Sequence, residues 1–400
     1  MNNSHFSYRS KALKTLIVAG ASIGTAAGSI DAQAQSSVTL YGVLDDSIAY
    51  VNNQKGHSNV YLRQGNLYAS KFGFKGAEDL GGGTSAIFDL QAGFDPNNGT
   101  ASSAGLLFNR QAYVGLQNKT WGTLTMGRQY TPYFLLVGPL ASSTYLTGAT
   151  GAHPGDIDSL DTTVRINNSV TWTSPTWQGL SASALYGLSG IPGSVGAGQS
   201  WSGAVRYAIG GVNLAAGFLR MNNTGRTTTS FDASATGSFA TSALNAGYLS
   251  ARAVQNAAIA GTWTTGGLTL GLTYTNVEYL SGGYSAFRDT AVFNTYAALA
   301  AYRFTPAFDV AAGYAWTLAS KANGVSSAAR YQQVSLKQAY HLSKRTTLYA
   351  LQAWQHASGQ TLGSNGAIVD AVPDVGDSQN STPSSTRSQF VGMLGIATVF

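Results

Sequence analysis

The chain has 400 residues, only 10% of them charged, with 23 Lys and Arg against 17 Asp and Glu, 48 glycines and no cysteine. Ordinary soluble domains carry about 25% charged residues, so the composition argues against a soluble globular protein, and it excludes a disulfide scaffold. The mild positive balance, without a basic patch interleaved with aromatics, points away from nucleic acid as a partner.

The first element is a leader. Arg9, Lys11 and Lys14 precede an apolar, small-residue stretch from Thr15 to Ala27, and Ala32-Gln33-Ala34 supplies an A-x-A cleavage site. A signal peptide is therefore expected over residues 1–34, with the exported chain, 35–400, forming one domain. Beyond the leader no apolar run approaches the roughly 20 residues of a spanning helix.

Sixteen amphipathic β-segments are predicted instead. They cover residues 38–51, 66–78, 83–94, 107–118, 121–130, 165–174, 179–189 and 200–209, and then 211–221, 253–265, 267–279, 291–303, 307–319, 330–342, 345–357 and 387–400. Most are ten to thirteen residues long, about what a strand tilted by some 45° needs to cross a bilayer. Period-2 alternation separates their faces. Over 307–319, Phe308, Val310, Ala312, Tyr314, Trp316 and Leu318 share one face, and Asp309, Ala311, Gly313, Ala315 and Thr317 the other. Over 267–279, Leu268, Leu270, Leu272 and Tyr274 oppose Thr269, Gly271, Thr273 and Thr275. Small inward residues would leave the interior open.

The connections alternate between tight and long. Tight ones include Glu78-Asp79-Leu80-Gly81-Gly82-Gly83, Asn118-Lys119-Thr120, Ile209-Gly210-Gly211, Thr265-Gly266-Gly267, Thr305-Pro306-Ala307 and Leu342-Ser343-Lys344-Arg345. The long ones, such as 131–164, 222–252 and 358–386, are mostly polar. Short turns on one side and long loops on the other mark a barrel through an asymmetric membrane. The fold class is thus an all-β, closed antiparallel transmembrane β-barrel of sixteen strands. Trp172, Trp177, Trp201, Trp263, Tyr279, Tyr302, Phe304, Phe308 and Trp354 lie near segment ends, where amphipathic rings suit the headgroup level.

Several stretches resemble the trimeric general-diffusion porins of the Gram-negative outer membrane, particularly the β-proteobacterial type. They are SSVTLYGVLDDSIAYV (Ser36 to Val51), SKFGFKGAEDLGGGTSAIFDLQAGF (Ser70 to Phe94), FNRQAYVGLQNKTWGTLTMGRQYTP (Phe108 to Pro132), NNSVTWTSP (Asn167 to Pro175), YHLSKRTTLYALQAWQHASG (Tyr340 to Gly359) and a closing QFVGMLGIATVF ending in Phe400. The resemblance implies an outer-membrane channel for passive diffusion of ions and small hydrophilic solutes, with no cofactor, assembled as a homotrimer. It implies that the third long loop, 131–164, folds inward and narrows the pore at mid-height. It also implies that the barrel assembly machinery reads the terminal aromatic Phe400. Outer-membrane lipid and lipopolysaccharide would surround the barrel.

By motif, the resemblance places Lys71, Arg110, Arg128 and Arg165 on a basic wall opposite that loop. Parity independently turns Lys71 and Lys75 inward, away from Phe72 and Phe74, and turns Arg165 inward with Asn167 and Ser169. Parity does not settle Arg110, whose partners are Ala112, Val114 and Leu116; there the resemblance decides, with Gln111 tolerated on the outer face. Arg206, Arg303 and Lys337 take lumen parity as further charges. Asp156, Asp158 and Asp161 read as an acidic rim of the constriction loop, with weak potential to hold Ca²⁺; no other metal is expected. The loop lacks the acidic Pro-Glu-Phe signature of enterobacterial porins, and a weak anion preference is expected. Asp370, Asp374 and Asp377 read as surface charge able to bridge lipopolysaccharide through divalent cations.

An enzyme is not expected. The histidines His57, His153, His341 and His356 sit in no nucleophile motif, and H-E-x-x-H and G-x-S-x-G are absent. The alternative is a barrel acting as adhesin or receptor through its long loops.

Overall fold

A computed structural model describes residues 37–161, 164–194, 197–223, 242–377 and 383–400; the expected signal peptide over 1–34 lies outside them. The strands are β1 (Ser37–Gln54), β2 (His57–Gln64), β3 (Lys71–Gly81), β4 (Thr84–Gly93), β5 (Gln111–Asn118) and β6 (Gly122–Tyr130). There follow β7 (Arg165–Thr173), β8 (Leu180–Gly187), β9 (Ser200–Ile209), β10 (Val212–Asn222), β11 (Ala253–Thr265) and β12 (Leu268–Leu280). The last are β13 (Ala291–Thr305), β14 (Phe308–Ala319), β15 (Arg330–His341), β16 (Thr346–Ser358), β17 (Gln360–Leu362), β18 (Ile368–Asp370) and β19 (Ser388–Val399).

Every ladder between the named strands is antiparallel. β1 closes the sheet, pairing with β19 on one side and with β2 and β3 on the other. Because β2 and β3 occupy successive stretches of one stave, the 17-stranded sheet forms sixteen staves with no free edge; full closure satisfies the backbone inside a bilayer. Phe400 continues the seam, exchanging backbone hydrogen bonds with Gly42 at 2.9 and 3.0 Å.

The alternation read from the sequence sorts as lipid face and lumen face. Leu272 and Ile259 are 69% and 57% exposed on the outside, whereas Thr275 and Thr317 are fully buried. The two-residue turns after β9 and β11 each begin with a left-handed glycine, Gly210 and Gly266, both at φ 55°, a conformation that costs glycine nothing.

Five expectations are corrected. β2 lies where a loop was expected, turned back on β1 at Lys55-Gly56, both at positive φ. β3 begins at Lys71 rather than residue 66, and β5 at Gln111 rather than 107. The last long loop carries its own hairpin, β17–β18. Tyr279 is not part of an exposed girdle: it is buried inside, stacked on Tyr248.

The connection after β6 turns into the barrel. Thr131 caps helix α1 (Pro132–Val137), its Oγ1 accepting from the Phe134 N–H at 3.1 Å, with Pro132 at the first helical position. Two single turns follow, α2 (Ser142–Tyr145) and α3 (Gly148–Gly151). Tyr133, Val137, Leu140 and Ile157 pack with Leu219, Met221, Ala258 and Val277 of the wall. Small wall residues therefore do more than keep the lumen open: Ala204 and Gly217 make room for α1, and Gly313 for Leu146.

Candidate pore constriction

Five neighbouring staves bring their long-loop ends together on one arc of the inner wall. Lys71 opens β3, Gln91 faces inward two residues before the end of β4, Arg110 immediately precedes β5, Tyr130 closes β6 and Arg165 opens β7. Arg110 Nε donates to Gln91 Oε1 at 3.2 Å, and Tyr130 Oη donates to the same oxygen at 3.4 Å. The Arg165 guanidinium lies over the Tyr130 ring, 5.1 Å from its centre. Lys71, Arg110 and Arg165 act on one another electrostatically. The parity of β5 does not govern Arg110, because it stands one residue before the regular strand.

Gln111 is corrected: it points inward, and its Nε2 donates to Asp89 Oδ2 at 3.2 Å. Tyr41 donates to the other Asp89 oxygen, and Lys75 sits over the Tyr41 ring at 5.4 Å. Lys75 thus continues the polar wall below the three cations.

Arg128 takes a different position. Its Nε donates to the Asn109 carbonyl at 2.8 Å and its Nη1 to Asn167 Oδ1, so it braces the ends of β5, β6 and β7. Arg206, Arg303 and Lys337 face the lumen nearer the tight turns. Arg206 Nη2 donates to Asn213 at 2.8 Å, Arg303 lies opposite Asp309, and Lys337 is ion-paired to Asp309 at 3.1 Å.

Across a hollow of about 230 Å³, Lys71 and Arg110 face Phe134, Leu160 and Asp161 of the inward loop and Asp377 of the last long loop. Asp161 and Asp377 share a hydrogen bond. Burial, then repulsion from Asp377 and Asp156, push the Asp161 carboxyl well above the usual range, opposed by Arg110.

The other two loop carboxylates point elsewhere. Asp156 Oδ1 accepts from the Asp161 N–H at 2.9 Å. Asp158 is buried against His153 Nδ1, accepts from Thr275 Oγ1 at 2.8 Å, and its carbonyl accepts from Asn256 at 3.0 Å. Burial raises the Asp158 carboxyl, but the charge and hydrogen bond of His153, with further bonds from Thr275 and Leu160, outweigh it and hold it below its ordinary value. The three carboxylates do not converge, and among the described residues no His, Cys, Asp or Glu group is arranged to hold a metal ion.

The far side of the loop is fastened too. Gln333 Nε2 donates to the Thr150 and Ala152 carbonyls at 2.8 and 2.9 Å, and Ser202 Oγ accepts from the Tyr133 N–H at 3.1 Å.

Asp374 and Asp377 are not surface charges. Asp374 is fully buried, its N–H on Gln355 and its carbonyl accepting from the Gly155 N–H of the inward loop at 3.1 Å. Only Asp370 is exposed, 3.5 Å from Arg387. Gln91 and Tyr130 are site residues the sequence reading passed over, and Asp377 is one it read as surface charge. Gln91 shares inward parity with Asp89, a signal that was present; the Asp377 contact bridges distant loops and has no local signature.

The profile of the Gram-negative porins matches residues 18–360. An outer membrane porin protein of Bordetella pertussis is 36% identical over 193 residues, 44% of this chain and 48% of that protein. Outer membrane porin protein 32 of Delftia acidovorans is 34% identical over 164 residues, 39% of this chain and 45% of that protein. Each match thus spans a little under half of the curated relative. In architecture the chain is similar to an anion-selective porin from Comamonas acidovorans, with a TM-score of 0.65 at 21% identity over 92% of this chain and all of that one. It is also similar to OmpT of Vibrio cholerae, solved in a trimer form, with a TM-score of 0.62 at 16% identity over 91% and 99% of the two chains. These likenesses establish the sixteen-strand barrel.

Proposed function

The chain belongs to the Gram-negative porin family, and on that premise we propose that it forms a water-filled outer-membrane channel for passive diffusion of ions and small hydrophilic solutes, with a weak to moderate preference for anions. The observation that carries the preference is the arc of Lys71, Arg110 and Arg165 around Tyr130, facing a loop fastened to the opposite wall. Selectivity in such a pore is the field across its narrowest point, and low-dielectric walls focus that field. The Asp161–Asp377 pair, sharing a proton, offsets part of the positive charge. Lys337 adds little, because Asp309 pairs with it.

We assign the protein to a homotrimer. The exposed aromatics of the outer wall crowd β7 to β16, where Trp172, Trp201, Trp263, Tyr302, Trp316 and Trp354 stand. β1, β2, β5 and β6 present mainly Val38, Leu40, Ile48, Leu62, Val114 and Met126. Headgroup-level rings belong where lipid is met, and the aliphatic arc suits contact with other copies. The loops also favour conduction over adhesion: Leu244 and Tyr248 from the connection after β10, and Asp374 from the last long loop, are packed down inside the barrel.

Planar-bilayer recording of the purified protein under a salt gradient tests this reading. Openings in groups of three and a reversal potential of anion sign are expected. Absence of conductance would defeat the channel assignment, and a cation sign would defeat the role given to the basic arc.

A further inference from the structure

Residues 65–70 join β2 to β3, and one buried carboxylate holds them in place. Asp45 Oδ2 accepts from the Leu67 and Tyr68 N–H groups, each at 2.6 Å, and its Oδ1 accepts from Tyr349 Oη. Ser70 Oγ accepts from the Asp45 N–H at 3.1 Å and donates to the Asp45 carbonyl at 3.0 Å. Asn66 Nδ2 donates to Ser47 Oγ at 2.9 Å. The backbone is thus pinned on both sides of Tyr68, whose side chain nevertheless stays 46% exposed. Its hydroxyl feels the charge of Asp309, on β14 in another part of the wall, so the ring reaches into the passage. Tyr68 lines the hollow of about 230 Å³ together with Lys71, Arg110, Phe134, Asp161 and Asp377. Phe134 supplies a second, half-buried ring, set against Tyr130 at 5.3 Å. Among the described residues neither Lys71 nor Arg110 forms an ion pair with a carboxylate.

These features select a ligand by charge, size and surface. Two cations, less an acidic pair that shares one proton, leave one net positive charge on the hollow, which matches a monovalent anion. The volume lies below the roughly 300–1,000 Å³ of pockets for drug-sized ligands, so the solute is no larger than a single ring. A carboxylate would take charge-assisted hydrogen bonds from Arg110 and Lys71. A ring attached to it would meet two aromatic faces, one held rigidly by the Asp45 clamp, and such pairs gain by offset or edge contact. Chloride or acetate would use the cations and leave both rings idle. We propose that this hollow is a binding subsite for aromatic monocarboxylates, their ring against Tyr68 and Phe134 and their carboxylate on Lys71 and Arg110. Such solutes then cross by a saturable step. The crossing rests on the channel reading above, whereas the binding stands by itself.

The test titrates benzoate, acetate and phenylalanine against the purified protein in detergent micelles by ligand-observed NMR, with protein-free micelles as the blank. This readout needs no conduction. Benzoate should bind the parent about tenfold tighter than acetate, the upper end of what one aromatic pair adds beyond area burial. Tyr68→Ala should lose most of that advantage, because the Asp45 clamp holds the backbone and only the ring is removed. Tyr68→Phe, which keeps the ring, should retain it. In planar bilayers benzoate should reduce the chloride current near its binding constant, and less so in Tyr68→Ala. Equal affinity of the parent for benzoate and acetate overturns the proposal, and this comparison needs no variant to fold. Benzoate bound as tightly by a folded Tyr68→Ala protein as by the parent overturns it equally. Phenylalanine bound more tightly than benzoate reassigns the hollow to zwitterions and overturns it too. A parent that binds benzoate but conducts nothing would sink the channel reading and leave the subsite standing. An anion-preferring channel that does not distinguish benzoate from acetate would do the reverse.

Discussion

Gly217 of β10 is where helix α1 of the inward loop packs closely on the wall, and it offers a direct way to move the loop. A Cβ added there would lie 3.0 Å from Val137 Cγ2, 3.1 Å from the Ala204 Cβ and 3.3 Å from the Tyr133 Cα. Gly217→Ala already asks each neighbour to yield by a few tenths of an ångström. Gly217→Val adds two further methyl groups to the same close-packed spot, an overpacking worth about 1–3 kcal/mol. β10 cannot move, because backbone ladders tie it to β9 and β11 along its whole length. Helix α1 can, since beyond packing it is held to this wall by one bond, from the Tyr133 N–H to Ser202 Oγ. Val at 217 should therefore push α1 into the lumen while the barrel assembles normally. Single-channel recording should show reduced conductance with more open-state noise, and Gly217→Ala an intermediate effect. Unchanged conductance in a folded Gly217→Val channel would refute the packing of α1 against β10.

Three further outcomes follow from the same geometry. Since the folded-state value of Asp161 is raised, its protonated contact with Asp377 is fully present below the ordinary carboxylate range and is lost as pH rises through the raised value. Anion preference and the thermal stability of the loop should both decline on that rise, and Asp161→Asn should give flat profiles by reversal potential and thermal melting. Asp158 has the opposite sign: its stabilisation is present above the ordinary carboxylate value and fades as pH falls through its depressed one. Asp158→Asn leaves His153 without its buried partner, a loss on the order of 3–5 kcal/mol, read as faster hydrogen exchange across residues 148–160. Arg110→Gln should lower anion preference, whereas Arg128→Gln should leave it nearly unchanged and lower barrel stability by about 1–2 kcal/mol, through lost bonds to Asn109 and Asn167.

Much of the barrel could be read locally because each transmembrane strand shows both its faces in its own alternation. In β12, Leu270 and Leu272 exposed against Thr273 and Thr275 buried follow from parity alone. β2 escaped because its first residues, His57, Ser58 and Asn59, are polar on both faces; Val60 and Leu62 carried the only alternation. The site was legible where a residue lies within a regular strand, as Lys75 does, or opens one, as Lys71 and Arg165 do. It was not legible where the chain leaves the strand, since Arg110 and Asn109 take their direction from the loop. Nor could Arg128 be separated by motif from the other basic residues: its bonds to Asn109 and Asn167 depend on two neighbouring staves. Tyr279 looked like a girdle residue because an aromatic at a strand end fits either face. Its partner Tyr248 comes from a loop folded inside, a non-local fact.

The central claim is that the arc of three cations sets the field in the pore, and its size follows from the charges present. Three cations less one carboxylate leave about two positive charges. A monovalent anion about 7 Å from each gains roughly 0.6 kcal/mol per charge in water, and about 0.25 kcal/mol after screening at 0.15 M salt. Anions are then enriched about twofold and cations depleted to the same degree, a permeability ratio of roughly five. The decisive measurement is the zero-current potential across a salt gradient for the parent channel and for Lys71→Gln/Arg110→Gln/Arg165→Gln. The parent should show the anion sign at about that ratio, and the variant a ratio near unity or a slight cation preference. The same potential in both channels would contradict the account.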